Sequence, residues 1–240
     1  MESKNGYFKL DIRDGNVYLV VYPPEGGKPV EYKEVTSYLE GKGYAVLDPR
    51  ELNSAVAAQG EPREVFLGMW NGLEENEQMV VTVSIDKMLV FCRFYPPSNH
   101  GKLMSEDEIL KDLEFQKVSV GINQEEIQKF LKERHYCTNY IMAKGIPPIN
   151  GKDAKIEYFF NTNHNLKPKK NEDGSVNYHE LNTISRVEKG QVLAKLHKEV
   201  PGKPGKDVFG GDIQARQEKT MKLEFGNNIT LSEDMTEIYS

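Results

Sequence analysis

The feature that most limits what this chain can fold into is an internal repeat. Residues 10–24 read Leu-Asp-Ile-Arg-Asp-Gly-Asn-Val-Tyr-Leu-Val-Val-Tyr-Pro-Pro, and residues 83–97 read Val-Ser-Ile-Asp-Lys-Met-Leu-Val-Phe-Cys-Arg-Phe-Tyr-Pro-Pro. At an offset of 73, Leu10, Ile12, Val17, Tyr18, Val21 and Tyr22-Pro23-Pro24 fall on Val83, Ile85, Val90, Phe91, Phe94 and Tyr95-Pro96-Pro97. Each copy reads as a β-hairpin, with Asp14-Gly15 supplying the turn of the first. The Pro-Pro pair ends the second strand, because neither proline can donate to a sheet ladder.

Helical signals follow each hairpin. Tyr32, Val35 and Leu39 form an apolar stripe stopped by Gly41-Lys42-Gly43; Ser105 and Glu108 form a capping box before Ile109, Leu110 and Leu113. A second helix starts at Asp48-Pro49-Arg50-Glu51 in one copy and at Asn123-Gln124-Glu125-Glu126 in the other. The spacing predicts two β-β-α-(short strand)-α units, over about 8–58 and 78–136, with Leu52, Val56, Ile127 and Leu131 in the core. Residues 1–140 thus read as one α+β domain.

From Ala143 the pattern changes to short apolar runs between glycine-rich turns, which suggests a small all-β barrel or sandwich over 141–220. Ile156 to Phe160 reads as a strand, and Val187 to Ala194 as strand, tight turn, strand. Met221 to Phe225 alternates as a half-buried strand does, with Ile229, Leu231 and Ile238-Tyr239 as further short strands.

Charge follows the same division. Residues 1–140 carry 16 basic and 23 acidic residues, which disfavours a nucleic-acid partner there, while 141–222 carries 15 and 10 and leaves weak RNA or DNA contact open. No apolar run approaches a bilayer span and the first twenty residues lack a signal-peptide core, so a cytoplasmic protein is expected.

Four linked motifs in the second part are similar to those of the bacterial flagellar assembly protein A family. They are Gly145-Ile146-Pro147-Pro148-Ile149-Asn150-Gly151-Lys152-Asp153, Asp173-Gly174-Ser175-Val176-Asn177-Tyr178, Val187 to Ala194 around Gly190, and Gly202-Lys203-Pro204-Gly205-Lys206-Asp207-Val208-Phe209-Gly210. Ala154 and Asn177 stand where the family pattern has glycine and aspartate. The two repeats, including the Pro-Pro step, also resemble the family's N-terminal region. The resemblance implies that residues 221–240 start a right-handed β-helix, that the chain is the N-terminal piece of a longer protein, and that it acts in flagellar or cell-surface assembly. An unfinished first rung should fold back on the glycine-rich part or self-associate through 221–240. The signature positions Gly145, Pro147, Pro148, Asn150, Gly151, Lys152, Asp153, Asp173, Gly174, Tyr178, Gly190, Gly205, Asp207 and Gly210 have no assigned role.

Chemical motifs give little. None of six Gly-Lys dipeptides is followed by Ser or Thr, so no phosphate-cradling loop is complete. His135 and Cys137 supply two of the four ligands that a structural zinc site needs. Asp11, Asp14 and Asp86 would have to converge to serve a palm-like two-metal reaction, and Asp14 sits in a turn. Neither helix pair encloses the Gly-x-x-Gly of an RNA-binding KH module. Lys189 and Lys195 lack the flanking residues of a biotinyl or lipoyl lysine. No catalytic residue, metal or cofactor is expected. The reading is a non-enzymatic scaffold with unidentified protein partners; the alternatives are a nucleic-acid-binding regulator and a palm-like nucleotidyl enzyme.

Overall fold

The computed structural model describes residues 3–160 and 187–240. It is mixed α and β, with four helices and several small antiparallel sheets among the described residues. The chain forms two compact units, Met1–Pro147 with Lys206–Ile213, and Pro148–Gly205 with Gln214–Ser240.

In the first unit, β1 (Tyr7–Arg13) and β2 (Asn16–Tyr22) form a hairpin. Its two-residue loop is Asp14-Gly15 with φ of 52° and 75°, the left-handed pair that matches strand twist. Then come α1 (Tyr32–Gly41), α2 (Pro49–Ala57) and β3 (Arg63–Met69), which pairs with β2 to give the order β1-β2-β3. The second segment runs β4 (Gln78–Val83), β5 (Leu89–Tyr95), α3 (Glu106–Phe115), α4 (Gln124–Glu133) and β6 (Asn139–Lys144), with the order β4-β5-β6. The expected strand between the helices is absent from the first segment, and in the second it amounts to one isolated bridge from Ile122 to Ala143. The third strand comes after the helices instead. A two-stranded hairpin is too narrow to cover two amphipathic helices, and Val65 and Leu67 of β3 widen the apolar floor.

The expected caps are formed. Asp48 accepts from the N–H groups of Arg50 and Glu51, Ser105 and Glu108 make a reciprocal box, and Asn123 accepts from Glu126 N–H. Each helix pair seals its sheet. Val35, Leu39, Leu52 and Ala55 pack on Phe8, Leu10 and Leu19; Ile109, Leu113, Ile127 and Phe130 pack on Val90, Phe94 and Met142. Val56 and Leu131, expected in the core, are only partly buried. Their neighbours Ala55 and Phe130, one position nearer the N-terminus, are buried, as are Leu52 and Ile127, so Val56 and Leu131 sit at the rim of each helix–sheet contact.

The second unit contains an open sheet in the order β11-β12-β8-β7, from β7 (Lys155–Tyr158), β8 (Val192–His197), β11 (Thr230–Leu231) and β12 (Glu237–Tyr239). No closed barrel is formed among the described residues, which corrects the barrel expectation. Closure needs unbroken ladders. Here the signature segments meet at isolated bridges, Ile146 with Lys206, Ile149 with Lys203 and Lys152 with Val200, and form no continuous ladder, because Pro147, Pro148, Pro201 and Pro204 have no N–H to give. The short strands β9 (Gly205–Lys206) and β10 (Asp212–Ile213) flank a turn. Met221 to Phe225 forms no strand, while Ile238 pairs with Ala194, so the end of the chain folds back on β8.

Candidate functional site

In the second unit, the signature segments are knotted together by backbone contacts. Gly151 and Gly202 lie where their chains cross. A Cβ on Gly202 would sit 2.6 Å from the Ile149 carbonyl oxygen and 2.9 Å from Gly151 N, and one on Gly151 would overlap the Val200 carbonyl and Glu218. Only glycine allows this approach. Both freed N–H groups donate to Glu218 Oε1, at 3.1 Å from Gly151 and 2.8 Å from Gly202. Asn150 Oδ1 accepts from Arg216 N–H at 3.0 Å. Lys152 exchanges two backbone hydrogen bonds with Val200. Asp153 accepts from Lys219 N–H at 3.0 Å and from the Arg216 guanidinium at 2.8 and 3.2 Å. The Lys219 amide and then Arg216 hold its carboxyl below the ordinary aspartate range. An open cleft of about 400 Å³ runs beside this crossing, bordered by Pro201, Pro204, Gln214 and Arg216.

Gly190 turns at φ 85°, and its N–H bonds to Ser240 O. Gly205 is buried. Asp173, Gly174, Asn177 and Tyr178 lie outside the described residues. In the first unit, a Cβ on Gly145 would meet Lys206 O at 2.7 Å, and Pro147 follows shortly after. Asp207 Oδ1 accepts from the N–H groups of Phe209 and Gly211, at 2.9 and 2.7 Å, with Gly210 at φ 88°. This turn presents Val208, wholly buried, to the core beneath sheet β4-β5-β6. Among the described signature residues, the side chains of Asn150, Asp153 and Asp207 thus accept from backbone N–H groups of the chain itself, and Asp153 also from Arg216.

The carboxylates considered for metal chemistry are also held locally. Asp11 pairs with Arg13 at 3.0 Å. Asp14 occupies the left-handed turn. Asp86 Oδ1 accepts from Ser84 Oγ–H and Met88 N–H, which lowers its pKa, the Ser84 bond contributing most. Among the described residues there is no group of three His, Cys, Asp or Glu side chains able to hold a metal. His135 Nδ1 lies 3.7 Å from Glu133, whereas Cys137 is buried in the other core with Phe8 and Leu10.

The first unit holds two charged clusters, one joining its two halves and one within the second. Glu34 on α1 accepts from Arg93 Nε and Nη2, at 2.5 and 2.7 Å, and from the Tyr95 hydroxyl at 2.8 Å. Burial first, and then this bond, raise the Tyr95 pKa. Open grooves of about 400 and 410 Å³ extend on either side of Glu34 across the outer face of β4 and β5, reaching Gln78 and Lys42 on one side, Thr82 and Asn139 on the other. Glu77 is fully inaccessible and accepts from Arg134, Tyr136 and the Met104 amide. None of Glu34, Glu77, Arg134 or Glu218 stood out in the sequence. Most of their partners lie 57 to 67 residues away, with Met104 27 from Glu77 and Gly202 16 from Glu218, and no local period announces them.

No helix among the described residues is long and apolar enough to cross a membrane. No curated protein and no solved structure matches the chain. A family model does, over residues 79–240, and its description is flagellar assembly protein A N-terminal region. That span starts in β4 and takes in every signature segment, so the chain belongs to the flagellar assembly protein A N-terminal region family.

Proposed function

We propose that this chain is a non-enzymatic, cytoplasmic scaffold that holds protein partners during flagellar or cell-surface assembly. The observation that carries the reading is the fate of the signature residues. Asn150, Gly151, Asp153, Gly202 and Asp207 serve backbone crossings and turns, and among the described signature residues no acid and base are paired. Catalysis needs such convergence within hydrogen-bond reach of one reacting atom. Shape made rigid by self-directed polar groups suits recognition instead. The proposal includes two finer points. The segments β1 to β3 and β4 to β6 share element order and sheet order, which supports descent from one duplicated ββααβ unit. Residues 221–240 as the start of a β-helix, and as a self-association element, rest on the family resemblance.

Deletion of the gene in the source cells tests the function. Fewer flagellar filaments and lower motility are expected, restored by the wild-type chain and not by a Gly151→Val variant. Unchanged filament number and motility after deletion would count decisively against the scaffold reading.

A further inference from the structure

Three of the four sheet edges in the first unit are closed or defended. Asn99 bonds both the N–H and C=O of Ile12 on β1, at 3.1 and 2.8 Å. Residues Gly121 and Asn123 bond along β6, at 2.9 and 2.8 Å. β3 carries Arg63 and Glu64, and a register shift opposite Gly68, the devices that discourage strand addition. β4 has none of these. Its residues Gln-Met-Val-Val-Thr-Val carry no charge and no proline, and its register with β5 is unbroken from Gln78 to Val83. Among the described residues, no backbone hydrogen bond reaches β4 on its far side.

Register identifies the free groups. Ser84 N–H bonds to Leu89 O at 2.9 Å. Antiparallel alternation then directs the backbone of Gln78, Val80 and Thr82 toward β5, and that of Met79, Val81 and Val83 outward. We propose that β4 is a self-association edge, on which two copies pair β4 to β4 about a two-fold axis through Val81. Val81 then faces Val81 of the second copy, Met79 faces Val83, and on the outer surface Val80 faces Thr82. Roughly six backbone hydrogen bonds form, the cross-strand pairs are mostly β-branched, and no like charges meet. A second copy is the occupant because the pairing closes both free edges at once, while a foreign strand would leave its own far edge open. The dimer goes beyond the scaffold reading and rests on strand geometry alone, so either can fail without the other.

The test is sedimentation equilibrium on the whole chain over roughly 1–200 μM, a range suited to a small interface. The wild type is expected to pass from monomer to dimer. V80E with T82E sets carboxylates opposite each other and should raise Kd by about tenfold or more. V80E with T82K sets opposite charges face to face and should bring Kd back to within about threefold of the wild type. Both positions are exposed, Val80 at 49%, and line the grooves beside Glu34, so thermal melts by circular dichroism at about 1 μM, where the wild type is monomeric, verify that each variant folds cooperatively. A wild type that stays monomeric, a V80E/T82E protein that dimerises as well as the wild type, or a folded V80E/T82K protein that does not associate overturns the proposal.

Discussion

Replacing Arg134 with methionine should leave a carboxylate in the interior without its cation. Glu77 has no accessible side-chain surface, and its oxygens accept from Arg134 Nη1 at 2.7 and 2.5 Å, from the Tyr136 hydroxyl at 2.7 Å and from Met104 N–H at 2.7 Å. Methionine keeps an aliphatic stem near Phe130, over which the guanidinium lies at 5.6 Å. The lost interactions are therefore the two charge-assisted bonds to Glu77 and the longer one to Met104 O at 3.2 Å. Breaking one side of a buried ion pair costs about 3–5 kcal/mol, because the remaining charge cannot return to water. That is a large share of a typical domain stability of about 5–15 kcal/mol. Adding Glu77→Gln removes the charge, keeps an acceptor oxygen for the Met104 amide and turns its NH2 to the Tyr136 hydroxyl, which can accept, and should restore about 2 kcal/mol. Urea unfolding can be followed through Trp70, the sole tryptophan, which packs against the core of the same unit. An R134M protein within about 1 kcal/mol of the wild type, or a double variant no better than R134M, would refute the reasoning.

Gly151→Ala should unfold much of the second unit, since the new methyl overlaps the Val200 carbonyl; Gly190→Ala at φ 85° should cost about 1 kcal/mol, and Gly226→Ala, with open space around it, close to nothing. Hydrogen exchange ranks the three, and equal protection in all would sink the argument. Burial pushes the Cys92 and Cys137 thiols up to about 12, so at pH 8 neither should react with a thiol reagent until denaturant is added; one equivalent consumed at once by the native protein would contradict this. Hydrogen bonds from Ser232 and Thr236 lower the Asp234 pKa to about 2, below its unfolded value. Its contribution to the β11–β12 hairpin is thus present above about pH 4 and lost as pH falls through 2. A carboxyl resonance of Asp234 titrating near 4 would show the turn to be unformed.

The hairpins, helix caps and Pro-Pro strand ends were legible because each is written within a few residues. Asp14-Gly15 adopts the left-handed turn and Ser105 with Glu108 makes its box. The third strands were not legible. Arg63 to Met69 and Asn139 to Lys144 are short, mixed segments whose strand character comes from docking beside β2 and β5. The barrel expectation took glycine-rich punctuation for hairpin turns, whereas Gly151 and Gly202 mark a crossing of chains. Glu218, which caps that crossing, is one glutamate among many until the fold brings it to Gly151, 67 residues earlier.

The eight-residue excursion around Asp207 sets an order on synthesis. Residues 206–213 belong to the first unit, yet they are made after most of the second. Until the ribosome has released them, Val208 is missing from beside Ile109, Leu113 and Phe130, and Ser119 and Val120 lack the carbonyl to which both N–H groups bond. A nascent chain ending at Pro147 would wait with a valine-sized gap, worth about 1.5–3 kcal/mol. The first unit therefore completes itself late, and a protease acting on partly made chains should cut it more readily before residue 213 emerges than after.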